Sequence, residues 1–200
     1  MKRGIKGQKI VAATHNQGKL EEIAALLGPL NVEIISAKAL NLPEPEETET
    51  TFVGNARIKA HAAARASNLP ALSDDSGIEI DALDGRPGVI SARYVGLDCD
   101  DEANNDKVIE EMRDVSAQKR TCRFRCVLAL VGDNLEETFA GACEGTLLFE
   151  RKGTGGFGYD PLFQPNESDS TFAEISLDEK AKISHRARAL HLLIDWISRQ

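Results

Sequence analysis

Two aspartates stand side by side where an apolar run gives out, in Leu72-Ser73-Asp74-Asp75-Ser76-Gly77. Apolar residues lead in from Pro70, and a small hydroxyl and a glycine follow, which reads as a strand ending in a charged turn. Successive side chains of a strand alternate across the sheet, so two adjacent carboxylates cannot both face one core, and at least one points to solvent or a cleft. Taken alone the stretch is either a surface turn, for which Asp-Ser-Gly is ordinary chemistry, or a carboxylate for a metal or for proton abstraction at a strand's C-terminal end, where open α/β sheets place their ligands.

Around this stretch, strand-like and helix-like segments are interleaved, which predicts an α/β class. Lys9-Ile10-Val11-Ala12-Ala13 reads as a strand, and Leu20, Ile23, Leu26 and Leu27 as the apolar positions of the helix after it. The connecting loop, Thr14-His15-Asn16-Gln17-Gly18-Lys19, is either a solvated cap or an anion site, with Lys19 adding a full charge to the free N–H groups of a helix start. Val32 to Ile35 predicts a second strand. The acidic segment Leu42 to Thr50, with Pro43 and Pro45 and glutamates at 44, 46, 47 and 49, is an irregular loop leading into an alanine-rich helix from Phe52 to Ser67. That helix delivers the chain straight to the paired aspartates, so Glu46 or Glu47 could approach them.

Asp101 to Met112 reads as a polar helix with Val108, Ile109 and Met112 inward, and Thr121 to Val131 is the most strand-like run, continued after a short link by Glu137 to Phe149. Gly153-Thr154-Gly155-Gly156-Phe157-Gly158-Tyr159-Asp160-Pro161 joins four glycines to two aromatic rings, a composition that lets backbone approach a ligand while a ring offers a stacking face. Ser176-Leu177-Asp178-Glu179 is a capping box. Lys180, His185 and Arg186 follow it at the start of a terminal helix with Leu190, Leu193, Ile194 and Ile197 at core spacing; the three are either surface residues or cationic donors.

The net charge of −8 argues against a protein that grips a nucleic-acid backbone, although a free nucleotide needs only a local cationic pocket. No apolar run approaches the ~20 residues of a membrane span. Cys99, Cys122, Cys126 and Cys143 contain no Cys-x-x-Cys pair and read as reduced thiols of a cytoplasmic protein. The organisation expected is a basic extension over residues 1–8 and a single domain over 9–200.

With these stretches assembled, the chain resembles the inosine triphosphate pyrophosphatase family. The resemblance rests on Thr14-x-Asn16-x-x-Lys19, Glu46-Glu47-Thr48, Ser73-Asp74-Asp75-Ser76-Gly77, Gly85-x-Pro87-Gly88 with Ser91-Ala92-Arg93-Tyr94, Gly153 to Pro161, and Ser184-His185-Arg186, in the family's order. His15 departs from the glycine common in bacterial members. The resemblance implies an elongated mixed sheet with two lobes and a nucleotide cleft, usually a homodimer, and hydrolysis of ITP, dITP and XTP to monophosphate and pyrophosphate with Mg²⁺. It implies Asp75, as general base or water-positioning residue, and Lys19 as the catalytic residues, Glu46 and Asp75 as magnesium ligands with Glu47 and Asp74 as second candidates, and Thr14 to Lys19 (with His15, Asn16, Gln17 and Gly18) as the phosphate loop. Ser76, Phe157, Gly158, Tyr159, Asp160, Lys180, His185 and Arg186 would contact sugar and base. Two readings stay beside it: a Maf-like pyrophosphatase for modified nucleotides, and a nucleotide-binding module without catalysis.

Overall fold

A computed structural model describes residues 7–30, 32–96 and 100–199. Most of the N-terminal extension and Cys99 therefore lie outside the described residues. The strands β1 (Lys9–Ala12), β2 (Glu33–Ser36), β3 (Ala71–Ile80), β4 (Thr121–Gly132), β5 (Leu135–Leu147) and β6 (Phe163–Pro165) form one six-stranded sheet in the order β2-β1-β3-β4-β5-β6. β1 pairs in parallel with β2 and β3, whereas β5 and β6 are antiparallel, so the sheet is mixed and the α/β expectation holds. No helix among the described residues is long and apolar enough to cross a membrane.

The chain divides into two compact units. The first comprises Met1–Asp75, Cys126–Gly141 and Arg186–Gln200. Its helices are α1 (Gln17–Leu27), α2 (Phe52–Ser67) and α5 (His185–Ser198), the last contributing from Arg186 onward. Asn16 caps α1 by accepting the Lys19 N–H at 3.0 Å, and Thr51 caps α2, in each case satisfying a donor that a helix start leaves unpaired. The core gathers Ile10, Ile23, Leu72, Leu128, Leu190 and Leu193, so the apolar spacing of the terminal helix is its buried stripe. Each such leucine contributes about 1.5–3 kcal/mol by leaving water. On α2 the buried residues are small: Ala56 and Ala60 pack on Ala129 and Val131, which lets the helix backbone lie close to the strand.

The second unit comprises Ser76–Arg125 and Ala142–His185. Its helices are α3 (Asp101–Glu111) and α4 (Leu177–Ile183), and its core gathers Ile78, Ile80, Met112, Phe124, Leu147, Phe163 and Phe172. The capping box expected at Ser176 is present, with Ser176 and Glu179 each satisfying the other's backbone N–H.

One expectation is corrected here. β3 does not end at the aspartates but runs on to Ile80, with Asp74 and Asp75 both buried, 1% and 4% exposed. Hydrophobic periodicity breaks at a carboxylate, whereas the backbone ladder does not, provided that each charge finds a partner on its own face.

Candidate active site

The pleat of β3 sends Ser73 and Asp75 to one face of the strand and Asp74 to the other. On the first face lies α2. The Ser73 hydroxyl donates to the Ala56 carbonyl at 2.6 Å, and one turn along the helix Lys59 donates from Nζ to Asp75 Oδ1 at 2.7 Å and to Glu47 Oε1 at 2.8 Å. Asp75 Oδ2 is buried and has no hydrogen-bond partner among the described residues. On the other face α1 and α5 supply cations. Lys19 Nζ lies 2.6 Å from Asp74 Oδ1, and Arg186 donates from Nε to Asp74 Oδ2 at 2.8 Å. Arg186 Nη1 donates in turn to Glu22, and the Cys126 thiol donates to Asp74 Oδ2 at 3.0 Å.

These surroundings drive the neighbouring carboxyls in opposite directions. Burial alone would raise Asp74, but Arg186 and then Lys19 outweigh it and hold the group well below the usual carboxylate range. Burial also raises Asp75, and there the Lys59 ammonium and its hydrogen bond offset only part of the cost, leaving the group pushed up to about 6. Asp74 is thus held as a fixed anion, whereas Asp75 is the easier of the two to protonate.

The residues expected at the phosphate loop all belong to the first unit, but several already have tasks. Thr14 Oγ1 accepts the Asn16 N–H at 3.1 Å, and Asn16 is the α1 cap. Gln17 donates to Glu21, and Gly18 lies in the first turn of α1. His15 turns to the acidic loop, with Nε2 3.1 Å from the Leu42 carbonyl and Nδ1 3.7 Å from Glu44. In that loop Glu46 is exposed, whereas Glu47 is half-buried and shares Lys59 with Asp75. The carboxylate brought to Asp75 is thus Glu47 rather than Glu46, because Lys59 reaches only where the loop turns inward.

The second unit holds the other expected group. Ser76, directly after Asp75 in β3, is half-buried. In the glycine-rich loop Asp160 is buried, accepting Lys180 Nζ at 2.6 Å and the Phe157 N–H at 3.0 Å. Gly156 has φ +71, and a Cβ there would meet Asp160 Oδ2 at 2.0 Å, so only glycine lets the loop fold over this carboxylate. Lys180 Nζ also sits 4.8 Å from the Phe157 ring centroid. His185 is buried and stacked on Phe124, centroids 4.7 Å apart at 11°. One expectation changes. Tyr159 is no exposed platform: it is 3% exposed and its hydroxyl donates to the Ser91 carbonyl at 2.8 Å, leaving Phe157 as the accessible ring. Arg186 belongs to the first unit, where its guanidinium, 1% exposed, donates to Asp74 and Glu22.

Three residues were not singled out from the sequence. Lys59 had a legible signal, a lysine three residues beyond Ala56 on the alanine face of α2. Glu22 lies one turn beyond Lys19 on α1. Asn55, fully buried, accepts the Glu49 N–H at 3.0 Å and ties the acidic loop to α2.

The profile of the Ham1 family matches residues 10–196. The chain belongs to the Ham1 family. Among its relatives, the dITP/XTP pyrophosphatase of Ruegeria pomeroyi is 52% identical over 97% of each chain. That of Geobacter sulfurreducens is 48% identical over 96% of this chain and 98% of its own. Among solved structures, a HAM1 protein from Coxiella burnetii superposes with a TM-score of 0.87 at 40% identity, covering 96% of this chain and 99% of that one. The Staphylococcus aureus Ham1 protein gives 0.84 at 36% identity, covering 96% and 98%. The expectation of a non-standard purine pyrophosphatase family is thereby met, since Ham1 members of near-equal length carry that name.

Proposed function

We propose that this Ham1 family chain hydrolyses dITP, ITP and XTP to the nucleoside monophosphate and pyrophosphate. The observation that carries the reading is the pair of adjacent buried aspartates on opposite faces of β3, Asp74 held by Lys19 and Arg186 and Asp75 by Lys59. Asp75 Oδ2 is a buried acceptor without a partner among the described residues, suited to take a proton from a water held beside it. Lys59 holds the other Asp75 oxygen and so fixes the orientation of the carboxylate. Lys19, at the start of α1, adds its charge to that helix end and favours the phosphates there. In the second unit, Lys180 offers an N–H to the 6-oxo group of hypoxanthine or xanthine, with Phe157 as a stacking face. The amino group of adenine would leave this donor unpaired at about 1–3 kcal/mol, roughly a ten- to hundredfold discrimination.

The donors around Asp75 suit a hard cation. Magnesium takes oxygen ligands and keeps several waters, so one or two carboxylates with the substrate's phosphates suffice. Among the described residues no group of three or more His, Cys, Asp or Glu forms a closed cage. Asp75 and the acidic loop would hold Mg²⁺, Glu47, which shares Lys59 with Asp75, being the better-placed glutamate and Glu46 the one implied by resemblance. When bound, the ion would neutralise charge on the phosphates and withdraw electrons from the bond that breaks. Glu47→Gln is expected to weaken Mn²⁺ binding, followed by calorimetry without nucleotide, about tenfold and more than Glu46→Gln; the reverse order would assign the ion to Glu46.

The deciding experiment is incubation with dITP and Mg²⁺. dIMP and pyrophosphate are expected in equal amounts, and orthophosphate as the direct product, or no turnover, would overturn the reading. Lys19→Ala is expected to raise both the KM for dITP and the Ki of inorganic tripolyphosphate about tenfold or more; an unchanged Ki would remove Lys19 from the phosphate site. A homodimer in solution, checked by sedimentation, completes the proposal.

A further inference from the structure

The glycine-rich loop has little of its own to fix its shape. Gly153, Gly156 and Gly158 all adopt positive φ, and within the loop the Phe157 N–H is held by Asp160. What fixes its tip is α3. The Gly158 N–H donates to Asp101 Oδ2 at 2.7 Å, and the Gly158 carbonyl accepts Asn105 Nδ2 at 2.9 Å, so both backbone polar groups of this residue end on one helix. Asp101 and Asn105 are four residues apart and share a face. Asn105 Nδ2 also donates to the Asp101 carbonyl at 2.7 Å, coupling the two holders. The loop's root is held by the same helix, Arg151 donating to the Glu102 carbonyl at 2.9 Å and to Asp106 Oδ1 at 2.8 Å.

Asn105 is fully buried, and its Oδ1 has no hydrogen-bond partner among the described residues. An amide kept in a core with half its capacity unused is poor packing, and a leucine would avoid that cost. Its return is the Gly158 carbonyl. The next residue back, Asn104, accepts the Val95 N–H at 2.8 Å and donates to the Ala92 carbonyl at 2.9 Å, so consecutive asparagines hold two different loops.

We propose that Asp101 and Asn105 are positioning residues for base selection: they clamp Gly158 and thereby set the angle at which Phe157 is presented to the purine, beside Lys180 and Asp160. This rests on the function proposed above. Both residues act through Gly158, so the clamp bears on the base and not on the phosphates.

The test uses the full chain with Asn105→Ala and, separately, Asp101→Ala, whose exposed side chain makes loss of folding a small risk. The first measurement is amide hydrogen exchange over residues 155–159, which needs no turnover. Exchange at Gly158 is expected to speed up about tenfold in either variant, and unchanged protection would overturn the clamp. The second is steady-state kinetics. KM for dITP is expected to rise five- to tenfold with kcat within about twofold, and the preference for dITP over dATP to fall about tenfold. The Ki of inorganic tripolyphosphate is expected to stay within twofold. A retained base preference, or a Ki that rises in step with KM, would overturn the proposal, since general loosening moves both. Should Asn105→Ala not fold, Asp101→Ala decides both measurements. If the unsubstituted protein does not hydrolyse dITP, the proposed function falls, while exchange at Gly158 still decides the clamp.

Discussion

Asp75→Asn is expected to lower kcat for dITP about 10³-fold, the range that a positioned general base commands, while the protein stays folded. Asparagine matches aspartate in shape, and its carbonyl oxygen can still accept from Lys59. Its amide nitrogen, however, cannot take a proton from water where Asp75 Oδ2 stands unpartnered among the described residues. Stability should change little, because two effects oppose. Lys59 loses a charged partner but keeps Glu47, and the strand sheds a carboxylate that burial has pushed up to about 6. The sign of the second effect follows from linkage. A carboxyl whose folded pKa is raised contributes stability that is full below its unfolded value, near 4, and lost as pH rises through about 6. The melting temperature of Asp75→Asn, relative to the parent, should therefore move in the variant's favour between pH 4 and pH 7. Parallel kinetics and melting curves check both statements. Near-parental turnover would remove Asp75 from the proton-transfer role.

Asp74→Ala is expected to do the reverse, costing stability first. Arg186 is 1% exposed, and removing Asp74 leaves its guanidinium with Glu22 while Lys19 loses the Asp74 carboxylate as well. Breaking a buried pair by deleting one member costs about 3–5 kcal/mol, which at this chain length lowers Tm by roughly 10 °C. Because Asp74 is held well below the usual range, its contribution is present above about pH 4 and lost as pH falls through the folded value. Acid should therefore narrow the gap between parent and variant. A Tm within 2–3 °C of the parent at pH 7, about 1 kcal/mol on the same scale, would show that the ion cluster is not what holds this strand.

Local patterns were the legible part of this chain. The capping box at Ser176, the alternating run of β4, the apolar stripe of α5 and the alanine face of α2 are fixed by neighbours within a few residues, and each stands where periodicity places it. The course of β3 was not legible, because its continuation through two charges depends on partners elsewhere: Arg186 reaches Asp74 from 112 residues away. The burial of Arg186 and of Tyr159 was not legible for the same reason. A guanidinium or a phenol at a helix or loop reads as available until the structure shows the carboxylate or carbonyl that has taken it. Which glutamate of the acidic loop approaches Asp75 was not legible in a segment with two prolines and no period to read; Lys59 on α2, which Glu47 shares with Asp75, is what shows it.

The Asp74–Arg186–Glu22 cluster also bears on the order in which the protein can be made. Glu22 and Asp74 leave the ribosome early, whereas Arg186 follows only after the whole second unit, 164 residues beyond Glu22. Until then the first unit has two acidic groups destined for burial with Lys19 as their nearby cation, and it lacks the Ala189, Leu190 and Leu193 side of its core. Domains generally fold as units during synthesis, N-terminal first. Here the unit that begins first must finish last, and the second unit, continuous in sequence but for Cys126–Gly141, is free to fold while the first waits for α5 to neutralise it.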